Sequence, residues 1–376
     1  MDYINAQVAV APAQANVFQE LGELFTNKLW HQLGCKLSEA IKTGYFNADQ
    51  NTLKLYNDFV SKCAKEIDPL TLVQIVFEAS HQIKDIQSKI EFVESKTSLV
   101  ENEFGPSLLL KLELASWVLL KGDHPGCHAR LEEAQSGLDS YPAELPAIIP
   151  SRLFQVKMEY HKVVGTAAEF FRNAILYLSY TPLENIPLQQ QVELSSNLGL
   201  SALASDDQYN FGELLQHPIL NSLKGTSHQW INDMLNAFDQ GSIEKFEALY
   251  KQNSGSQPIL SNNAAFLRQK IRIMNLMEMV FKRPSNDRNI KFDEISKICQ
   301  ITIDEVELLL MKAMSLGVIQ GVIDQVVQIV RIKRVQPRVL NMQQVESLRT
   351  QLNTWTEKVH EAVIYLEATG PELMSS

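Results

Sequence analysis

ITIDEVELLLMKAMSLGVIQGVIDQVVQIVRIKRV, Ile301 to Val335, decides the architecture of the C-terminal half. Thr302 and Glu305 stand three residues apart, the spacing at which a hydroxyl and a carboxylate reciprocally satisfy the free amides of a helix start. Val306, Leu309, Leu310 and Ala313 follow at helical steps as a buried face, and Gly317 ends the helix. Two β-branched runs come next, VIQGVID and VVQIVRI, separated by a tight turn, which predicts a hairpin. Upstream, FLRQKIRIMNLMEMVFKRP reads as a helix ended by Pro284, NIKF as a short extended segment and DEISKICQ as a short helix. Helix, strand, helix, turn, helix, hairpin is the order of a winged-helix domain, assigned to residues 264–340.

The chain before it has a different grammar. Helical periodicity dominates from Phe18 to Lys251, and strand-like alternation is nearly absent. LELASWVLLKGD meets HARLEEAQSGL at Gly122-Asp123, FQVKMEYHKVVG meets TAAEFFRNAILYL at Gly165-Thr166, and WINDMLNAFDQG meets SIEKFEALYKQ at Gly241-Ser242. In each pair a left-handed Gly is expected to close one helix and Asp, Thr or Ser to cap the next. Weaker junctions at Lys84-Asp85 and Asp206-Asp207 make the spacing roughly 35 to 43 residues, the period of helix-hairpin arrays. Such units bury their apolar faces only by stacking, so residues 18–252 are expected to form a TPR-like helical-hairpin solenoid of the kind that holds partners. Residues 1–17 read as a flexible tail, and the Ser/Gly/Asn-rich KQNSGSQPILSNN, Lys251 to Asn263, as a junction.

After the winged helix, Val345, Leu348, Leu352, Trp355, Val359, Ala362 and Leu366 recur at alternating three- and four-residue steps. That narrow a/d seam over three heptads belongs to a coiled coil or bundle rather than to a helix lying on its own globule. One helix over residues 341–368, followed by a tail at 369–376, reaches about 40 Å, longer than a small winged-helix domain can cover. The partners of the seam are therefore expected to be other chains.

Charge and chemistry narrow the function. Net charge is −10 with a pI near 5.4, which disfavours nucleic acid and anionic membrane as main partners. A winged helix raises DNA binding through its third helix, but that helix opens with Asp304, Glu305 and Glu307, carboxylates that repel phosphate. The second hairpin strand offers a basic edge, Arg331, Lys333, Arg334 and then Arg338, read as a solvated strand or a salt-bridging rim, so that the winged helix is expected to bind protein, with its hairpin edge available for pairing to another chain. The four Cys form no close pair, so neither disulfides nor a zinc knuckle is indicated, and an intracellular, reducing setting is expected. No phosphate loop, dinucleotide fingerprint, nucleophile elbow or H-E-x-x-H occurs. Asp123, His124, Cys127 and His128 in DHPGCH bring metal-type donors together at a hairpin turn without a second ligand pair, and are read as surface residues. No catalytic residue, cofactor or metal is assigned.

LWHQL (Leu29 to Leu33), YNFGELLQHPIL (Tyr209 to Leu220), ITIDEVELLLMKAMSLGVIQGVID (Ile301 to Asp324) and VQPRVL (Val335 to Leu340) resemble the PCI-domain subunits of the proteasome regulatory particle lid. The resemblance implies a mostly α fold, a helical-repeat arm capped by a winged-helix PCI domain and a long C-terminal helix. It implies a non-catalytic scaffold of the cytoplasm and nucleus, serving ubiquitin-dependent degradation. Expected partners are other PCI lid subunits through the winged helix and a bundle of C-terminal helices, the isopeptidase subunit pair, and a ubiquitin-receptor subunit near the N-terminal arm. The zinc isopeptidase motif itself, His-x-His with a distant Asp, is missing. A sister PCI complex, the signalosome or a translation initiation factor, shares the architecture; YNFGELLQHPIL and VQPRVL favour the proteasome. A winged-helix nucleic-acid binder is the remaining alternative.

Overall fold

The computed structural model describes residues 15–42, 51–64, 66–83, 85–100, 103–255, 257–283, 287–339 and 342–369. Most of both expected tails, with Lys84 and Pro284, lies outside the described residues. The chain divides into two compact units, Met1–Asn185 and Ile186–Ser376.

Among its described residues the first unit has helices and no strand. Helices α1 (Ala15–Thr26) and α2 (Trp30–Lys42) precede α3 (Asn51–Leu55), which runs on through a π turn at Tyr56–Val60 to Ser61–Cys63. Then come α4 (Pro69–His81), α5 (Ile86–Thr97), α6 (Phe104–Lys121), α7 (His124–Ser140), α8 (Ile148–Val163) and α9 (Ala167–Tyr180). Neighbours pair as α4–α5, α6–α7 and α8–α9, and α2, α4, α6 and α8 pack in succession. Leu112, Ala115 and Trp117 of α6 are buried with Ile149, Leu153 and Val156 of α8. Across the same pair, Arg152 meets the buried Glu113 at 2.6 Å, so the one charge inserted here carries its counter-ion.

Capping accounts for the hairpin turns. Asp68, Asp85 and Asp123 each accept from the backbone amide three residues on, at 3.1, 2.9 and 3.0 Å. Thr166 and Glu169 exchange both bonds of a capping box. Two junctions differ from expectation. Gly165 has no left-handed backbone; it is small because a Cβ there would fall 2.7 Å from the His161 Cα. Gly241 is left-handed, but Ser242 caps nothing with its side chain. Its amide instead donates back to the Ala237 carbonyl at 2.9 Å, closing the turn through backbone alone.

The second unit begins with α10 (Leu188–Ala204), α11 (Gly212–Gln216), a 3₁₀ stretch at Pro218–Leu223, α12 (Gln229–Asp239), α13 (Ile243–Asn253) and α14 (Pro258–Asn262). The winged helix follows as α15 (Ala264–Phe281), β1 (Asn289–Lys291), α16 (Phe292–Cys299), α17 (Ile303–Ser315), β2 (Ile319–Asp324) and β3 (Ile329–Val335), and α18 (Met342–Thr369) ends the chain. Thr302 and Glu305 form the expected capping box, with Glu305 Oε2 accepting from the Thr302 amide at 3.2 Å. Val306, Leu309, Leu310 and Ala313 are buried.

The sheet runs β1-β3-β2, antiparallel throughout, with a bulge at Gln320/Gly321. The hairpin turn falls at residues 325–328, so Val326 and Val327 belong to the wing tip and not to the second strand. Asp324 Oδ1 accepts from the Val327 amide at 3.2 Å and Gln328 is left-handed, which is turn chemistry that β-branched composition conceals.

Lys270 of α15 ties this domain to α10. Its side chain is 1% exposed, and Nζ donates to the carbonyls of Ala202, Leu203 and Ser205 at 2.8, 3.1 and 2.6 Å. Those are orphan carbonyls at the negative end of α10, so the ammonium serves as a C-terminal cap. The rings of Tyr209, Phe211 and Phe266 lie within 5.6 Å of it. Burial drags the Lys270 pKa down to about 7 against the pull of Asp206 and Asp207.

Candidate protein-interaction site

Among the described residues, the C-terminal helix is anchored at its root alone. Arg338, 4% exposed at its side chain, places Nη1 at 2.6 Å from Glu278 Oε2 of α15 and Nη2 at 2.8 Å from Asp239 Oδ1 of α12. One residue on, the Val339 amide approaches Asn210 Oδ1 at 3.5 Å. A Cβ on Gly212 would lie 2.8 Å from the Val339 carbonyl oxygen, so only glycine lets this linker seat against the start of α11. YNFGEL and VQPRV, remote in sequence, are thus two sides of one contact. Of the two expected roles, solvated or salt-bridging, Arg338 takes the second, drawn inward by the buried Glu278 and the half-buried Asp239.

Beyond the root, every side chain described from Met342 to Thr369 is exposed. Val345, Leu348, Leu352, Trp355, Val359, Ala362 and Leu366 share one face, with Trp355 66% exposed. Val363, Ile364 and Tyr365 are exposed as well, and the last two point away from the seam, so in the final turns apolar side chains spread beyond it, between Glu361 and Glu367. A helix with that pattern is built to be surrounded. The continuous run AVIYL is the signal for this, one that an a/d count passes over.

The winged helix presents a second set. Arg331 and Lys333 project to solvent from β3, but β3 is the central strand: Arg331 pairs with Asn289 on one side and Val322 on the other. The free edge of the hairpin is therefore β2, because β1 joins at β3, a choice that hairpin patterning leaves open. Leu308 and Met311 stand exposed one turn apart on α17, and Val322, Val326 and Val327 are exposed on the wing, Val326 by 96%. Gln325 Nε2 donates to Glu307 Oε2 at 2.8 Å, fastening the wing to that helix. A groove-reading helix needs cations here; this one offers carboxylates and apolar side chains. In the first unit, Leu120, Val163 and Val164 are exposed at the α6–α7 and α8–α9 turns.

Asp123 is occupied in capping α7, and burial pushes the Cys127 thiol up to about 11. The Cys63 and Cys299 thiols are likewise buried and pushed up to about 11 and 12, far from reactive thiolates. Among the described residues no group of three His, Cys, Asp or Glu gathers at metal-binding distance, and no helix is long and apolar enough to cross a membrane.

Comparison with known proteins decides among PCI-type assemblies. The PSD13 N-terminal repeats family matches residues 17–235, more than half of the chain, and the PCI domain family matches residues 243–334. The 26S proteasome non-ATPase regulatory subunit 13 homolog B of Arabidopsis thaliana is 34% identical over 384 residues, spanning 100% of this chain and 99% of its own. The chain belongs to the proteasome regulatory subunit 13 family. The 26S proteasome regulatory subunit RPN9 of Saccharomyces cerevisiae is 32% identical over 96% of this chain and 95% of its own. Subunit M of eukaryotic translation initiation factor 3 from Phaeosphaeria nodorum is 22% identical over only 51% of this chain. The likeness to the sister complex is thus partial, whereas the subunit 13 family matches from end to end, repeats and PCI domain together.

Proposed function

We propose that this chain is a non-catalytic scaffold subunit of the proteasome regulatory particle lid, supporting lid assembly and ubiquitin-dependent degradation in cytoplasm and nucleus. Its winged helix and C-terminal helix contact other PCI lid subunits, the isopeptidase pair lies nearby, and the N-terminal arm approaches a ubiquitin-receptor subunit. The observation that carries this reading is α18: a helix of 28 residues, anchored through Arg338 at one end and solvent-exposed along an apolar seam. Burying that seam is worth about 10 kcal/mol as an upper bound before ordering entropy, enough to drive helix bundling and too much to leave in water. Within the wing, Arg331 and Lys333 serve as rim charges toward a neighbouring subunit, and the exposed Leu308, Met311 and Val326 extend that surface.

The test is Leu352→Asp with Val359→Asp. Both side chains are exposed, so circular dichroism of the free chain should not change, while co-purification with lid subunits should be lost. Normal incorporation of the double variant would refute the bundle.

A further inference from the structure

In a chain carrying ten net negative charges, one cleft is basic. It has a volume of about 300 Å³ and lies between α13 and α15, against the end of α16. Three cations and one anion line it: Lys251, Arg268 and Arg272 around Glu247. Arg268 is spent internally. Its Nε and Nη2 donate to the two Glu247 carboxylate oxygens at 2.8 and 3.3 Å, and its guanidinium lies 5.4 Å from the Tyr250 ring centre. The bidentate pair fixes the wall of the cleft and neutralises itself. Lys251 and Arg272 remain. Each stands one helical turn beyond a member of that pair, and neither forms an ion pair among the described residues. Both reach the cleft electrostatically: Glu247 is held below the usual carboxylate range first by the Arg268 hydrogen bond, with the charges of Lys251 and Arg272 adding to it. Ile243 and Ile271 supply apolar lining, and Gln300, left-handed at the end of α16, adds a neutral polar group.

We propose that this cleft receives an acidic segment of a partner polypeptide, two of whose carboxylates pair with Lys251 and Arg272. The charge balance selects this occupant. Two uncompensated cations on separate helices match two single charges carried along a peptide, and the half-buried Ile243 offers apolar surface to the methylene stems, with Ile271 buried behind it. The chain's net charge of −10 disfavours such a segment over the surface in general, the β3 rim of Arg331 and Lys333 excepted. The inference goes beyond the lid reading, because it concerns the free chain and residues far in sequence from α18.

The test is fluorescence anisotropy of a labelled Asp-Glu-Asp-Glu peptide with the full-length chain at low ionic strength. Binding is expected with Kd below about 1 mM, weakening about tenfold in Lys251→Glu/Arg272→Glu and falling steeply with added salt. Lys251→Gln/Arg272→Gln, which creates no new repulsion, should fall between the two, and circular dichroism should match across all three proteins. Undetectable binding at about 1 mM peptide, or equal affinity in the charge-reversed protein, would overturn the site. So would displacement of the peptide by inorganic phosphate or duplex DNA at lower concentration, since the cleft would then be a general polyanion site. Failure of any kind leaves the α18 experiment unaffected.

Discussion

Arg338 Nη2 stands 2.8 Å from Asp239 Oδ1, joining the linker before the last helix to a residue 99 positions earlier in the chain. With Glu278 on its other nitrogen, Arg338 bridges two carboxylates from two helices, a geometry that a planar, two-armed cation satisfies and an ammonium does not.

Replacing Arg338 by Met should therefore cost about 3 kcal/mol, because it strips the largely buried Asp239 carboxylate of its cation and leaves Glu278 only the solvent-exposed Lys282 at 3.4 Å. Urea unfolding at constant slope is the measurement. Arg338→Lys should recover only part of the loss, and a near-neutral Arg338→Met would mean that the clamp contributes nothing.

Lys270 makes stability depend on pH in a definite direction. Its folded pKa of about 7 lies below the ordinary 10.5, so above pH 7 the unfolded chain holds the extra proton and stability climbs with pH. Above about pH 8.5 the three buried thiols reverse the trend, since their folded pKa values of about 11 to 12 keep protons that unfolded cysteines release from an ordinary 9.0. Between pH 7 and 8 the unfolding free energy should rise by up to about 1 kcal/mol in the natural protein and stay nearly level in Lys270→Met. An equal slope in both would refute the assignment.

On α18, Trp355→Ala should lower the affinity for lid subunits by about 2 kcal/mol, as large aromatic anchors do at the centre of interfaces. Glu357→Ala, on the opposite face, should do nothing. Reconstitution in competition with the natural chain reads both, and equal effects would show that the seam is not what is buried.

The acidic α17 predicts that duplex DNA is not bound at physiological salt below about 100 μM. A micromolar, sequence-dependent affinity lost on reversing Arg331 and Lys333 would restore the nucleic-acid reading of the winged helix.

Much of this was legible before any coordinates. Thr302 and Glu305 announce the third helix of the wing because a capping box is a local device, complete within four residues. The seam of α18 was legible for the same reason, as a periodicity contained in one element. What escaped was long-range or sterically specific. Nothing near Arg338 in sequence marks Asp239 and Glu278 as its partners, so it read as one more charge of a basic strand. The three residues of β1 choose which side of the hairpin stays open, and their pairing is invisible to alternation. Gly165 looked like a left-handed stop when its task is to clear His161, and Val326-Val327 looked like strand because β-branching cannot report the turn that Asp324 initiates.

The bare apolar end of α18 sets one problem for the protein before assembly. Turns that bare apolar side chains on more than one side invite self-association of orphan copies as readily as they invite the right companions, so solubility alone and affinity in the complex are governed by the same side chains. Substituting them to keep the orphan monodisperse would weaken its incorporation, and the remedy is matched synthesis: a subunit of this design prospers only where its companions are made in step with it.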